Sequence, residues 1–313
     1  MSFIYNILSR SGTMEILFRE VATSSVKLKS FLKSKMKAAP KRQYSKDEVL
    51  NNRGKVWSTL ENCGIKNGDI VIIHSAVSGL ESLQMSNEEI MDKILTIWGP
   101  EVTIVFPTFR MENQKAYTDG KRIRKYNPDR GICWTGMLPN VFLKQDGIVK
   151  SRFPFNSLSA RGPQAKAMME HDMESVRPHD NNSPWAYCVK HHAKILMFGI
   201  KSLESNTMSE HMAPDIMGDK WPIRDWYEKL DYIITIGNQT LDKEIEVQKS
   251  WPSKYVTNYK FDRLLKKAGL VSDISTGNVT IEYVDDSNKM LNWIIQEASM
   301  GNLIYKVPKK YFK

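Results

Sequence analysis

Six histidines are the chain's candidate general bases: His74, His171, His179, His191, His192 and His211. His74 stands with Ser75 at the end of the apolar run Val71-Ile72-Ile73. A buried strand there delivers an imidazole and a hydroxyl to the end of a sheet, where open α/β folds place their ligands. His211 and Asp215 are four residues apart, so one helical turn puts them on one face. A carboxylate beside an imidazole fixes its tautomer and raises its basicity, which suits general-base work; a purely structural pair is the other reading of that spacing. His171 and His179 flank an acidic, polar stretch and read as surface residues, and His191 and His192 follow a helix and read as exposed. There is no HxxxH or HExxH spacing to support a metal site. The chain also has no GxSxG elbow, GxGxxG fingerprint or Walker loop, which argues against the hydrolase, dinucleotide and NTPase classes. Cys63, Cys133 and Cys188 are odd in number and far apart, as in a reducing cytoplasm. Cys133 has no histidine beside it in sequence and reads as an inert thiol.

These residues need a frame. Pro40 precedes the first helix, which Ser45 and Glu48 open as a capping box, with Val49, Leu50, Val56, Trp57 and Leu60 as its apolar face. A turn at Lys66–Asp69 leads into the strand that ends at His74. Ser86 and Glu89 form a second capping box, opening a helix to about Trp98. Val102–Phe106 is a second buried strand, stopped by Pro107-Thr108-Phe109. Two strand–helix units in succession predict an α/β fold with a central, mostly parallel sheet flanked by helices. Residues 110–131 read as a polar surface loop, and Lys201–Pro222 as a loop with one helical turn at His211. Ile195–Ile200 is a third clear strand, and Asp231–Gly237 with Glu244–Gln248 a strand pair near an edge. The domain spans residues 44–313, and residues 1–43 read as a leader, with Met14 as an alternative start.

The formal charge is +10, and part of it is concentrated. Between Glu20 and Asp47 there is no acid, but Lys27, Lys29, Lys33, Lys35, Lys37, Lys41, Arg42 and Lys46 are there. Such a leader is either a solvated basic arm or, with Ile7, Leu8, Leu17 and Phe18, an amphipathic segment for an anionic membrane surface. No nucleic-acid motif accompanies it. The surplus also suits a polyanionic ligand such as a nucleotide or coenzyme A. No run approaches the ~18 apolar residues of a membrane span.

Seven stretches in order carry a resemblance: His74-Ser75-Ala76, Trp98–Phe109, Trp134–Phe142, Ser151–Gly162, Ile195–Ile200, Asn206–Asp215 and Trp221–Tyr227. Over residues 45–310 the chain resembles the aminoglycoside 3-N-acetyltransferase family, an α/β, non-GNAT fold. The resemblance implies an acetyl-CoA-dependent N-acyltransferase, with acetyl-CoA as co-substrate and no metal. It places Ser75, Pro107, Thr108, Phe109 and Ser157 along the approach of the pantetheine arm. Phe153 and Asn156 stand where resistance enzymes carry histidines, and Pro214 stands where the family has a glutamate. These departures move the base to His211 or His74, with Asp215 as its carboxylate and Asn156 as an oxyanion donor beside Ser75. The Pro154-Phe155-Asn156-Ser157 form resembles a subgroup that acts on amino sugars in surface-polysaccharide pathways. The expected acceptor is therefore an amino sugar, nucleotide-linked in one version, or an aminoglycoside, and the expected location is the cytoplasm. The alternatives are an acyl-CoA-binding pseudoenzyme or scaffold without turnover, and an unrelated basic binding protein. The apolar and aromatic residues of 134–160 serve either a pocket or a homodimer interface.

Overall fold

The computed structural model describes residues 3–24, 42–110, 113–118, 121–205 and 208–313. The basic run Lys27–Lys41 lies outside them. The main helices are α1 (Phe3–Leu8), α2 (Gly12–Ser24), α3 (Lys46–Glu61), α4 (Asn87–Ile97), α5 (Met137–Phe142), α6 (Pro184–Lys190), α7 (Met208–Met217), α8 (Asn258–Lys267) and α9 (Ser287–Ser299). The strands are β1 (Ile70–Ser75), β2 (Thr103–Pro107), β3 (Asn113–Thr118), β4 (Lys121–Tyr126), β5 (Val149–Lys150), β6 (Leu158–Arg161), β7 (Lys194–Phe198), β8 (Tyr227–Ile236), β9 (Gln239–Gln248), β10 (Ser272–Asp273) and β11 (Ile281–Val284).

Both capping boxes form. Ser45 and Ser86 accept from the backbone N–H of Glu48 and Glu89, whose carboxylates reach back to the serine N–H groups. The principal sheet runs β10-β11-β7-β1-β2-β6-β5. Its centre, β7-β1-β2, is parallel, and antiparallel strands extend it on both edges. β1 is buried on both faces, as its unbroken apolar sequence requires. Ile70 and Ile72 face one layer with Trp185 and α9, while Val71 and Ile73 face the other with α3, α4 and α5. Each such side chain contributes about 1.5–3 kcal/mol relative to exposure.

The connection after β1 depends on a glycine. A Cβ on Gly79 would lie 1.9 Å from the carbonyl oxygen of Gly199, which follows β7. The backbones of the two loops therefore touch, and the C-terminal ends of β1 and β7 are locked together just where His74 and Ser75 emerge.

Two stretches differ from the sequence reading. Residues 113–118 and 121–126 form the β3–β4 pair rather than an irregular loop, and with β8 and β9 they build a second sheet ordered β3-β4-β8-β9. The period-2 pattern in β4 is mostly Lys and Arg, so no apolar alternation marks it as strand. Residues 208–217 form a helix, although Pro214 lies inside it. Proline removes one helical hydrogen bond, and the burial of Met212 and Ala213 in the core offsets that loss. α1 and α2 rest on α8: Tyr5 donates to Asp262, and Glu15 accepts from the N–H groups of Tyr259 and Lys260.

Candidate active site

The C-terminal ends of β1 and β2, α7, and the near end of the β8–β9 hairpin enclose one cavity of about 500 Å³. His74, Ser75, Pro107, Phe109, Asn156, His211 and Asp215 all line it. The structure therefore gathers seven residues singled out from sequence, drawn from positions 74 to 215, around one space.

Thr108 and Ser157, also singled out, are not on its wall. Thr108 is 2% exposed and Ser157 is 4% exposed. Ser157 donates to the Thr108 carbonyl at 3.0 Å, Thr108 N–H donates to the Ser157 carbonyl at 2.9 Å, and the Thr108 hydroxyl meets that of Ser159 at 2.8 Å. The two side chains clamp the exit of β2 to β6 and are spent on that clamp. Neighbouring residues on extended backbone point to opposite sides, so Pro107 and Phe109 reach the cavity while Thr108 turns away.

His179 joins them, and the sequence did not indicate it. It is 5% exposed, and its Nδ1 lies 3.3 Å from Asp215 Oδ2. The Asn156 side-chain amide stands 3.5 Å from its Nε2. Asp215 does not serve His211 as the four-residue spacing suggested. Its Oδ1 accepts the Tyr227 hydroxyl at 2.5 Å, and its Oδ2 faces His179. His211 instead has the Tyr305 hydroxyl 3.4 Å from Nδ1, and its ring stacks near that of His179, with centroids 6.3 Å apart and planes 17° from parallel.

The loop carrying His179 is fixed at several points. Asp180 accepts from the N–H groups of Val176, Arg177 and Asn182, which folds the segment back on itself. Ser183 then caps α6 by accepting from Ala186 N–H. Arg177 makes a forked pair with Glu246 on β9 and lies over the Tyr227 ring at 4.0 Å. The second sheet thus holds both the loop that presents His179 and the tyrosine that holds Asp215. Trp185 on α6 donates to the Asn156 carbonyl at 2.6 Å and fixes Asn156 at φ 50°. That left-handed conformation is one asparagine tolerates better than most residues.

The histidines differ electrostatically. Burial pushes His74 down to about 4, since an imidazolium there would lose its water. Burial does the same to His211, also to about 4, and a positive charge on His179 would push it further. Both are neutral near pH 7. Burial raises the Tyr227 hydroxyl strongly, and Asp215 raises it further, so it stays a donor to that carboxylate. His74 Nε2 and Ser75 Oγ are shielded from solvent and have no hydrogen-bond partner. Buried polar atoms left open at a cavity wall are suited to a ligand's polar atoms. Cys133 meets the Thr135 hydroxyl, and burial raises its thiol, as an inert cysteine requires. Among the described residues no group of three His, Cys, Asp or Glu side chains is placed to hold a metal ion.

The cavity has two rims. On one side Trp134, 62% exposed, packs edge-on against Phe109 at 5.5 Å. The other carries Glu204, Gln248, Lys249 and Ser253.

Comparison with known proteins gives a consistent set of matches. The family model for aminoglycoside 3-N-acetyltransferase matches residues 72–294. The chain is 26% identical over 172 residues to aminoglycoside N(3)-acetyltransferase IX of Micromonospora chalcea, covering 51% of this chain and 60% of that one. It is 27% identical over 174 residues to aminoglycoside N(3)-acetyltransferase VIII of Streptomyces fradiae, covering 51% and 59%. The matched segments thus span about three-fifths of these relatives. Among solved structures, AAC-IIIb in binary complex with CoASH aligns at a TM-score of 0.66 and 18% identity, covering 82% of this chain and 98% of that one. At that identity the likeness speaks to the fold.

Proposed function

Because the chain belongs to the aminoglycoside 3-N-acetyltransferase family, we propose that it is an acetyl-CoA-dependent N-acetyltransferase acting on the amino group of an amino sugar. One observation carries the reading: an imidazole, His179, stands between a buried carboxylate and a cavity that also presents unpaired donors.

The chemistry follows from the geometry. An amine attacks a thioester only when neutral, so a base must take its proton. Asp215, facing Nδ1, favours a proton there and a lone pair on Nε2, the atom that meets the Asn156 amide in the structure and that an amine's proton would reach in its place. As His179 becomes imidazolium, the adjacent carboxylate stabilises its charge. His211 has Tyr305 and Gln248 as its hydrogen-bonding neighbours, and burial together with His179 outweighs the pull of Asp215, so it remains an uncharged hydrogen-bonding wall. The sequence-based choice of His211 or His74 as base therefore gives way to His179. As the amine nitrogen bonds to the acetyl carbon, the carbonyl oxygen gains charge. Ser75 Oγ, buried and without another partner, is the donor suited to it. Collapse then breaks the C–S bond, and the thiolate leaves with the proton taken from the amine. Pro107, Phe109 and Trp134 offer an apolar approach for the pantetheine arm, and AAC-IIIb, a protein of the same fold, binds CoASH.

The acceptor is an amino sugar carrying negative charge, such as a nucleotide-linked one from a surface-polysaccharide route. A polycationic drug needs several carboxylates. Of the acids on this cavity, Asp215 is committed to His179 and Tyr227, which leaves Glu204. Lys249, which is paired with Asp225, adds a cation to the same lining. The test is thiol release from acetyl-CoA against a panel of nucleotide amino sugars and aminoglycosides. Turnover with an anionic amino sugar supports the reading. Calorimetric binding of CoA without turnover on any amine points to the pseudoenzyme, and no CoA binding at millimolar ligand removes both.

A further inference from the structure

α2 is mounted with its polar side inward. Gly12, Glu15, Ile16 and Arg19 follow the i, i+3, i+4, i+7 rule and face the body of the molecule. Glu15 is 1% exposed and accepts from two N–H groups at the start of α8, where a carboxylate suits the helix dipole. Gly12 lies so close to Thr257 that a Cβ would come within 2.7 Å of its Cγ2. These contacts fix the rotation of the helix.

The opposite stripe has the same periodicity and is apolar. Met14 is 49% exposed, Leu17 50%, Phe18 48% and Val21 55%, and Ile7 on α1 adds a fifth apolar side chain at 41%. Five large hydrophobic residues are thus outward within fifteen positions, a concentration found nowhere else among the described residues. α1, which carries Ile7 of the stripe, also forms with α8 a cleft of about 350 Å³ lined by Tyr5, Ser9, Arg10, Arg263, Lys266 and Lys267. Lys266 is paired with Asp262 and Glu282, whereas Arg10, Arg263 and Lys267 have no carboxylate partner among the described residues. The sequence after α2 adds eight Lys and Arg before the next acid at Asp47.

We propose that α1 and α2 form a peripheral docking surface for an anionic lipid bilayer. The apolar stripe enters the interface, and the cleft arginines and lysine take up headgroup phosphates. The charge distinguishes this occupant from a second copy of the chain. Pairing two copies through the stripe would bring two basic clusters together, whereas an anionic surface neutralises them.

The test is co-sedimentation of the full chain with phosphatidylglycerol-containing vesicles and with pure phosphatidylcholine vesicles. The expected result is binding to the anionic vesicles that falls with added salt. Leu17→Asp/Phe18→Asp should weaken it at least tenfold, and Arg263→Glu/Lys267→Glu should reduce it with the apolar stripe intact. These side chains are exposed, and an unchanged melting temperature shows that each variant is folded. Wild-type protein left in the supernatant at low salt overturns the proposal. So does anionic-vesicle binding that both variants retain. A dimer seen by light scattering without lipid and dissociated by Leu17→Asp/Phe18→Asp would make the stripe a copy–copy interface instead.

Discussion

Two imidazoles lie 6.3 Å apart at the site, and only His179 has a carboxylate against it. On the proposed mechanism, that difference selects which one takes the amine's proton. Asp215→Asn keeps the volume but removes the charge, and should lower kcat by about 10–100-fold with little change in melting temperature. Tyr227→Phe, which removes one of the two bonds to that carboxylate, should have a smaller effect in the same direction, read in the same thiol-release assay. His74 gives a stability prediction. Its folded pKa, about 4, lies below the unfolded value near 6.5. Above pH ~6.5 neither state holds the proton and there is no penalty. As pH falls toward 4 the unfolded chain binds a proton that the folded chain refuses, so stability falls, by roughly 2 kcal/mol between pH 7 and pH 5. Urea unfolding of wild type should therefore weaken more steeply over that interval than His74→Gln; equal slopes would contradict the burial of the imidazole. At this scale the sequence was partly legible. His74, Ser75, Asn156 and Asp215 could be picked out from strand ends and motif order, but His179 could not. It sits in the turn-rich Pro178-His179-Asp180-Asn181, where no periodicity distinguishes an inward side chain from an outward one.

The elements were legible where local signals agreed. Both capping boxes, β1 and β2 stand where their sequences put them. The second sheet was only half visible. Its β8–β9 hairpin reads as strand, but β4 carries charge where a strand usually carries apolar residues. α7 was obscured by Pro214, whose local preference is overridden by tertiary burial. Gly79 links element to site. Its replacement by Ala would force a Cβ into the Gly199 carbonyl, and the β1–β7 ends must separate to admit it. Gly79→Ala should cost about 1–3 kcal/mol, measured by urea unfolding, and lower kcat by displacing Ser75. Unchanged stability would mean that the loops are not in contact.

Across the whole molecule, a mostly parallel central sheet was foreseeable from two strand–helix units, and its centre, β7-β1-β2, is parallel, although the strand order could not be read from the sequence. That the polar side of α2 faces inward was not, because an apolar stripe in sequence reads as a buried face until its partner is known. The net charge of +10 and the sparse free carboxylate at the cavity bear on the acceptor. Lys249→Glu should lower kcat/KM for a nucleotide amino sugar by raising KM, with kcat nearly unchanged. A matching loss in kcat would place Lys249 in the chemical step instead.

The most direct test of the central claim compares kcat for thiol release in wild type, His179→Ala and His211→Ala at pH 7.5 with one accepted amino sugar. The account requires His179→Ala to lose about 10²–10⁴-fold, and His211→Ala to stay within about tenfold of wild type. The reverse order, with His211→Ala inactive and His179→Ala active, would return the proton to His211 and contradict the assignment of the base.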